Sequence, residues 1–226
     1  YIDYASVQYK RGVTMETLKK ALELEKLYYR QGNFLINDVN FSIDENEIVA
    51  LCGKSGAGKS TLIRLIGNAI EPDAGIIRYF GEELYQNEKE IRRNISMVYD
   101  RVNFNVELTG NKLAKEIKKF EPFFDMDDFQ KYMSTFGLDG NKRIRFYSRG
   151  MRKMYMLTIA LARKPKLLVM DEPTSEVDEE TGKLMKRVIS EYRKQNGLTV
   201  LFSTHHNEEM NNFADRVILM KEGELA

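Results

Sequence analysis

The feature that most constrains the fold is residues 53–60, Gly-Lys-Ser-Gly-Ala-Gly-Lys-Ser, which fit the pattern G-x-x-x-x-G-K-[ST]. A continuous apolar run, 48–52, precedes them, and apolar residues then recur at helical spacing, at Leu62, Leu65, Ile66, Ala69 and Ile70. Glycines let backbone N–H groups close around phosphate oxygens, and the positive end of a helix dipole favours an anion. In this pattern Lys59 reaches the β- and γ-phosphates, and the Ser60 hydroxyl can ligate Mg²⁺. The segment therefore predicts a strand, a phosphate-binding loop and a helix.

The rest of the chain alternates helices with short apolar strands. Residues 1–20 show no clear periodicity, 21–43 are typical of an antiparallel layer, and 76–80 are expected to form a further strand. Two amphipathic stripes within 103–149 indicate an inserted helical lobe, and they consist of Leu113, Ile117 and Phe120, and of Phe129, Met133 and Phe136. Helix, strand, helix, strand and strand are then expected at 151–163, 167–171, 179–194, 199–203 and 216–220. This order predicts an α/β fold whose largely parallel sheet is covered on both faces.

Composition narrows the class of protein. A chain of 226 residues is long enough for one large domain or for a domain with an inserted lobe. Lys and Arg total 35 against 34 for Asp and Glu, which removes the electrostatic argument for a nucleic-acid partner. The lone Cys52 excludes an internal disulfide and fits a reducing compartment, and no secretory leader is visible, so we expect a cytoplasmic chain. The longest apolar runs fall far short of the roughly 20 residues that a membrane span needs.

Two carboxylates follow the apolar run 167–170. Ligands of open α/β sheets bind at the carboxyl ends of the strands, where the phosphate-binding loop also lies. We therefore expect Asp171 to organise Mg²⁺ and its waters, and Glu172 to polarise an attacking water as a general base. The alternative is a solvated acidic turn.

Two further segments combine groups that bind anions. Residues 147–151, Tyr-Ser-Arg-Gly-Met, precede a predicted helix and offer a second anion site, although they can also be a plain helix cap. His205 and His206 follow the predicted strand 199–203, where a His can hydrogen-bond a γ-phosphate. A zinc pair is disfavoured because adjacent residues do not easily face one ion, and a simple loop histidine remains an alternative.

Taken together, these segments resemble the ATP-binding-cassette ATPases, the motor subunits of ABC transporters, from about residue 21 to the end. Residues 53–60 resemble the Walker A loop, 167–172 resemble Walker B with its catalytic Glu, and 147–151 resemble the signature motif. Residues 175–178 look like the D-loop, and His205 looks like the switch histidine. The resemblance implies a P-loop NTPase (RecA-like) core with an antiparallel β layer and an inserted helical subdomain. It divides the chain into an N-terminal extension (1–20), a core (21–102 and 151–226) and a helical subdomain (about 103–150).

The resemblance also implies an activity, ligands and partners. We expect an ATPase that uses ATP and Mg²⁺, pairs head to tail with an identical or different cassette, and powers an integral membrane permease from the inner face of the cell membrane. An aromatic residue upstream of the loop normally stacks on adenine; Tyr29 is expected by spacing, with Tyr28 and a plain strand aromatic as alternatives. The implied catalytic residues are Lys59, Glu172 and His205, and the implied metal ligands are Ser60, Asp100 and Asp171. The implied nucleotide-binding residues are Tyr29, Gly53, Lys54, Ser55, Gly56, Ala57, Gly58, Lys59, Ser60, Thr61, Ser148, Arg149, Gly150 and Asp178.

The chain departs from the family pattern at two places. The signature usually reads Leu-Ser-Gly-Gly-Gln, so Arg149 stands for a glycine and Met151 for a glutamine. After residues 95–98, where the family usually has a Gln that contacts Mg²⁺, this chain has Tyr99-Asp100, and Asp100 can offer a carboxylate instead. Both departures resemble a subset of bacterial exporters of drugs and antimicrobial peptides.

Two functions fit a single cassette of this length. In the first, residues 103–136, with aromatics among Asp125, Asp127 and Asp128, carry the surface that docks on the permease, although those aromatics can also form only the core of the lobe. In the second, the chain is a soluble ABC ATPase of the iron–sulfur assembly scaffold type. Soluble rather than membrane partners would distinguish the second from the first.

Overall fold

The computed structural model describes residues 19–102, 104–205 and 213–225. The expected N-terminal extension therefore lies outside the described residues except at positions 19 and 20, and His206 lies outside them as well. The strands are β1 (Lys20–Gln31), β2 (Phe34–Asp44), β3 (Ile48–Cys52), β4 (Ala74–Tyr79), β5 (Glu82–Glu83), β6 (Ile95–Val98), β7 (Leu167–Met170), β8 (Thr199–Thr204), β9 (Arg216–Lys221) and β10 (Glu224–Leu225). The helices are α1 (Lys59–Ile66), α2 (Glu88–Asn94), α3 (Gly110–Phe120), α4 (Met126–Thr135), α5 (Arg149–Ala162) and α6 (Glu179–Asn196).

An antiparallel sheet forms one layer, with strand order β2-β1-β4-β5. β1 and β2 form a hairpin in which Leu24 faces Phe41 and Tyr29 faces Ile36 across the strands. The inward side chains of this layer, Leu22 and Leu27 among them, are fully buried in one cluster with the apolar face of α1. The layer therefore covers the helix that follows the phosphate-binding loop.

The second sheet has strand order β10-β9-β3-β8-β7-β6, and its neighbours are parallel except for the final β9-β10 pair. Every residue of β3, β7 and β8 is buried, as expected for a parallel sheet covered on both faces. The fold confirms the predicted α/β architecture with an antiparallel layer. Because these strands are parallel, their carboxyl ends lie at one edge, and the loops that leave this edge carry the predicted site.

Helices α3 to α5 pack in a second cluster on the other side of the parallel sheet. The predicted stripe of Phe129, Met133 and Phe136 is buried there. The other stripe is only partly correct, because Leu113 is buried but Phe120 is 84% exposed. Phe120 ends α3, and the chain turns at Glu121, so no neighbouring element covers its ring.

Two helix boundaries differ from the prediction. The first helix ends at Ile66 rather than continuing to Ile70, because Asn68 adopts a left-handed conformation (φ 50°) just after Gly67. The helix expected from Met151 begins two residues earlier, at Arg149, because the side chain of Ser148 caps it. In the described part of the chain, no helix has both the length and the apolar character that crossing a membrane requires.

Candidate functional site

The phosphate-binding loop connects β3 to α1, and close packing requires its glycines. Gly58 has φ 111°, and a Cβ there would lie 2.8 Å from Phe34 Cζ and 2.9 Å from Met220 Cε. A Cβ at Gly53 would lie 2.3 Å from the carbonyl oxygen of Met220. Any side chain at either position would therefore push the loop away from β2 and β9.

Lys59 places a positive charge inside this loop. Its side chain is 4% exposed, and its Nζ donates hydrogen bonds to the carbonyls of Gly53 (2.7 Å) and Lys54 (3.2 Å). The same Nζ lies 3.7 Å from Glu172 Oε1. The ammonium thus lies between the loop backbone and the acidic end of β7.

Asp171 and Glu172 follow β7 directly and share Ser203 as a partner. Asp171 is buried and accepts a hydrogen bond from the Ser203 hydroxyl (2.7 Å), while the Glu172 N–H donates to Ser203 Oγ (2.9 Å). Glu172 adopts the left-handed conformation (φ 44°), which is unfavourable for a residue with a Cβ and persists where the surroundings fix it.

The carboxylate of Glu172 lies between two basic groups. Oε1 is 3.7 Å from Lys59 Nζ, and Oε2 is 3.3 Å from Nδ1 of His205, the residue that follows β8. The structure therefore brings together all three residues predicted to be catalytic, from α1, from the end of β7 and from the end of β8. This geometry can hold a phosphate beside a carboxylate that accepts a proton from water.

The oxygen donors at this edge suit Mg²⁺. Ser60 is exposed at the start of α1, and Asp171 follows β7, which is separated from β3 by β8 at the same edge of the sheet. Among the described residues, no group of three or more His, Cys, Asp or Glu side chains could hold a metal. Ser60 and Asp171 fit an ion held by one or two protein oxygens together with substrate phosphates and water, which is how Mg²⁺ usually binds.

Two cavities meet at Glu172. The smaller, of about 230 Å³, is lined by Glu172, Phe34 and six predicted nucleotide-binding residues: Ser55, Gly56, Gly58, Lys59, Ser60 and Thr61. The larger, of about 700 Å³, is lined by Glu172 and His205 and by groups from the loop after β6 and from α5. Ala57, another predicted nucleotide-binding residue, is buried in the same loop. Glu172 therefore borders both the phosphate-binding loop and the cleft beside α5.

An aromatic residue other than Tyr29 lines the cavity of the phosphate-binding loop. Phe34, at the start of β2, lines the smaller cavity and would contact a side chain at position 58. Tyr29 lies across the hairpin from Ile36, is partly buried against the core of the antiparallel layer, and is not among the residues that line this cavity. Its adenine contact stays a prediction. The only sequence signal for Phe34 was an aromatic residue directly after the Gly32 turn.

The signature residues 148–150 lie at the N-terminus of α5. Ser148 Oγ accepts a hydrogen bond from the Met151 N–H (3.1 Å), so the hydroxyl is the helix cap that was the alternative interpretation. Arg149 forms an exposed ion pair with Glu176. Gly150 faces Val177, and a Cβ there would make an ordinary contact at 3.6 Å. Their binding of a second anion stays a prediction.

Asp178 caps the next helix in the same manner. Its carboxylate accepts hydrogen bonds from the Thr181 N–H (2.9 Å) and the Thr181 hydroxyl (2.8 Å), and these bonds hold the pKa of Asp178 below its usual value. The predicted D-loop residue is thus anchored at the start of α6, on the side of the cleft where Glu176 meets Arg149.

Asp100 has a partner that the sequence did not predict, Lys153. Lys153 lies on α5, its side chain is 6% exposed, and its Nζ donates to Asp100 Oδ1 at 2.7 Å and to the Glu172 carbonyl at 3.0 Å. The sequence shows that Lys153 belongs to the first turns of a predicted helix, but nothing in it indicated that this side chain is buried. The predicted Mg²⁺ contact of Asp100 stays a prediction.

Comparisons with known proteins agree with this geometry. Residues 36–175 match the ABC transporter family. The chain is 30% identical to the bacitracin transport ATP-binding protein BcrA of Bacillus licheniformis, over 93% of this chain and 69% of that protein. It is 31% identical to the phosphonates import ATP-binding protein PhnC 2 of Haloarcula marismortui, over 89% and 80%.

A solved structure gives the same result for the fold. The dimeric post-hydrolysis state of the ATP-binding cassette MJ0796, bound to ADP and Pi, superposes with a TM-score of 0.77 at 25% identity, over 90% of this chain and 96% of that chain. The family match covers more than half of the sequence and includes the phosphate-binding loop, Asp171 and Glu172. The chain therefore belongs to the ABC transporter family and is an ATP-binding subunit of the kind that binds and hydrolyses ATP.

Proposed function

We propose that this chain hydrolyses Mg-ATP at the edge where β3, β7 and β8 end, as one half of a head-to-tail pair that drives a membrane permease. The observation that carries the proposal is the position of the Glu172 carboxylate, 3.7 Å from Lys59 Nζ and 3.3 Å from His205 Nδ1. A base, a buried cation and a histidine at one end of a phosphate-binding loop can position phosphates and activate water for phosphoryl transfer.

Each residue has a distinct role in the proposed reaction. Lys59 and the N–H groups of residues 53–61 hold the β- and γ-phosphates, and Tyr29 contacts adenine. Ser60 and Asp171, with Asp100 as a third candidate, supply oxygen ligands to Mg²⁺, which neutralises phosphate charge when it is bound. Glu172 accepts a proton from the attacking water. His205 donates a hydrogen bond to the γ-phosphate and orients the Glu172 carboxylate.

The pairing proposal rests on the groups at the N-terminus of α5. Ser148, Arg149 and Gly150 lie at a positive helix end, Arg149 lines the cleft that Glu172 borders, and Asp178 caps the following helix, α6. These residues would contact the γ-phosphate held by a second cassette, identical or different. The similar MJ0796 cassette is described as dimeric, which supports this arrangement.

We infer transport from the lobe that follows β6, within the proposed helical subdomain of about 103–150. Its segment 104–136 exposes Phe120, and the partly exposed ring of Phe123 lies 3.7 Å below the guanidinium of Arg93. Apolar rings left on a surface beside cations suit a permease loop that brings apolar and acidic groups. The chain would then work at the inner face of the cell membrane.

We further propose that the cargo is exported and is a drug or a peptide. Similarity to the bacitracin transport protein BcrA and the replacement of a signature glycine by Arg149 favour this direction. The phosphonates import protein PhnC 2 is equally similar, so direction has to be tested on the assembled transporter.

The experiment is affinity purification of the tagged chain from detergent-solubilised membranes of its own organism, with a Lys59→Ala variant as a matched bait. We expect an integral membrane protein with several spans to copurify with both baits, because docking does not require nucleotide. The soluble fraction is purified in parallel, and recovery of soluble iron–sulfur assembly proteins there, with no membrane protein from the membranes, would contradict the transport proposal. Sensitivity of a deletion strain to bacitracin-like peptides would then distinguish export from import.

A further inference from the structure

The backbone of Glu172 is held from both sides. Its N–H donates to Ser203 Oγ (2.9 Å), and its carbonyl accepts from the Ser175 N–H (3.2 Å), from Ser175 Oγ (2.9 Å) and from Lys153 Nζ (3.0 Å). Glu172 needs such restraint because its φ of 44° is unfavourable for a residue with a Cβ. The direction of the side chain depends on this conformation, so whatever fixes the peptide also aims the carboxylate.

Lys153 differs from the other donor to this carbonyl. Ser175 belongs to the same turn as Glu172, so its bonds move with the loop. Lys153 belongs to α5, the helix whose N-terminus carries Ser148 and Arg149, and its bond therefore ties the loop to a separate rigid element. A displacement of α5 would be transmitted to the Glu172 peptide through this contact.

The charge of Lys153 is neutralised at the same point. The ammonium is nearly inaccessible to solvent, with 6% of the side chain exposed, and it lies 2.7 Å from Asp100 Oδ1 on the loop after β6. A buried cation is costly unless it is paired and hydrogen-bonded, and here one ammonium has a carboxylate and a carbonyl as partners. The Ser175 hydroxyl, whose one proton is shared with the closer Glu172 carbonyl, lies 3.4 Å from the same Asp100 Oδ1.

We propose that Lys153 is a positioning residue for Glu172: neutralised by Asp100, its ammonium holds the Glu172 carbonyl and so keeps the carboxylate between Lys59 and His205. This inference rests on the proposed role of Glu172 as the base. It assigns to α5 a direct mechanical contact with the catalytic loop of its own chain, in addition to the contact proposed for its N-terminus with a second chain.

The test compares Lys153→Met with Lys153→Gln. Methionine keeps the length and packing of the aliphatic chain but removes the donor, whereas glutamine keeps an N–H donor on a shorter side chain. We expect kcat for ATP to fall about 10- to 100-fold in Lys153→Met and less than tenfold in Lys153→Gln, with KM within about threefold of wild type in both. Lys20→Met, which breaks the Lys20–Asp44 pair (2.6 Å) on the antiparallel layer, is the control and should keep wild-type kcat.

A second readout does not depend on turnover. Hydrogen exchange of the peptide that covers residues 171–176 should be faster in Lys153→Met than in wild type and unchanged in Lys20→Met, because the Glu172 carbonyl loses its tie to α5. Wild-type kcat in Lys153→Met, equal losses in kcat and ATP affinity, or unchanged exchange at 171–176 would each overturn the inference.

Glu172→Gln, assayed in parallel, separates this inference from the proposed function. If Glu172→Gln is inactive and Lys153→Met is fully active, Lys153 has no positioning role and the assignment of Glu172 stands. If Glu172→Gln hydrolyses ATP at the wild-type rate, the base has been wrongly assigned and the positioning role fails with it.

Discussion

The phosphate-binding loop and the N-terminus of α5 are both anion sites in the proposed mechanism, but they are built differently. The loop is formed by close-packed backbone and one buried cation: Gly53 and Gly58 leave no room for a Cβ, and Lys59 is 4% exposed. At the start of α5, Arg149 is 72% exposed and paired with Glu176, which is 59% exposed, and Gly150 has room for a methyl group.

This difference suggests that one chain alone completes the phosphate-binding loop, whereas the N-terminus of α5 is a surface offered to a second chain. The loop already has its cation, its helix N-terminus and the neighbouring carboxylate of Glu172 in place. At the N-terminus of α5 the helix cap is already hydrogen-bonded and the charged side chains face outward. Lys59 of the same chain lies on the far side of Glu172. We therefore expect substitutions in the loop to affect a single chain in isolation, and substitutions at residues 148–150 to affect pairing first.

The largest effect is expected for Lys59→Ala. This change removes the buried ammonium that faces the phosphates, and we expect ATP affinity to fall by about 100-fold, in line with the loss of a charge-assisted hydrogen bond. Titration of a fluorescent ATP analogue measures it, with Lys89→Ala on the exposed face of α2 as the control. Equal affinities of wild type and Lys59→Ala would remove the assignment of the loop.

A matched pair of glycine substitutions tests the contrast in packing. Gly58→Ala should lower the free energy of unfolding by about 1–3 kcal/mol, because φ 111° and the contacts with Phe34 and Met220 exclude a methyl group. Gly150→Ala should leave stability unchanged or raise it by up to about 1 kcal/mol, because alanine favours a helix. Urea unfolding of the nucleotide-free proteins measures both, and equal losses would show that the two sites are packed alike.

Ser148→Ala should have a smaller effect. Loss of the hydrogen bond from the Met151 N–H removes the cap of α5, and we expect a loss of about 1 kcal/mol in the free energy of unfolding. Ser148→Asp, which can still cap, should keep the stability while placing a negative charge where the γ-phosphate of a partner would bind. If Ser148→Asp is as unstable as Ser148→Ala, the hydroxyl is not a cap.

The smallest effect is expected far from both sites, at the start of α4. The side chain of Lys164 and the N–H groups at the start of α4 lower the pKa of Asp125 to about 2. The ion pair therefore contributes stability above about pH 4, the range of an unfolded aspartate, and loses it as pH falls from about 4 to 2. Asp125→Asn should cost less than about 1 kcal/mol at pH 7 and about a third of that at pH 2.5 in urea unfolding, with unchanged ATP binding. A difference that grows in acid would contradict this sign.

The sequence predicted the loop, the parallel strands and the meeting of Lys59, Glu172 and His205. Short apolar runs and a glycine pattern determine the backbone conformation, and the backbone of a parallel sheet brings the ends of its strands to one edge. The sequence did not predict the exposure of Phe120 or the short helix α2, since local periodicity does not show where a neighbouring element ends or whether a charged segment is helical. The Lys153–Asp100 pair was missed because burial of a lysine depends on three segments that are distant in the chain.

The central claim is that ATP is bound by two chains, with the loop of one facing the α5 terminus of the other. The direct test is light scattering of Glu172→Gln with Mg-ATP, since this variant keeps the shape of the side chain but loses the base, which is worth about 10² to 10⁴ in rate. We predict a stable dimer with ATP, a monomer without it, and a monomer again in Glu172→Gln/Ser148→Arg, where a bulky cation occupies the capping position. If Glu172→Gln binds ATP and stays monomeric at high concentration, pairing of this chain with itself is contradicted, and a dimer that survives Ser148→Arg would contradict the assignment of the α5 terminus.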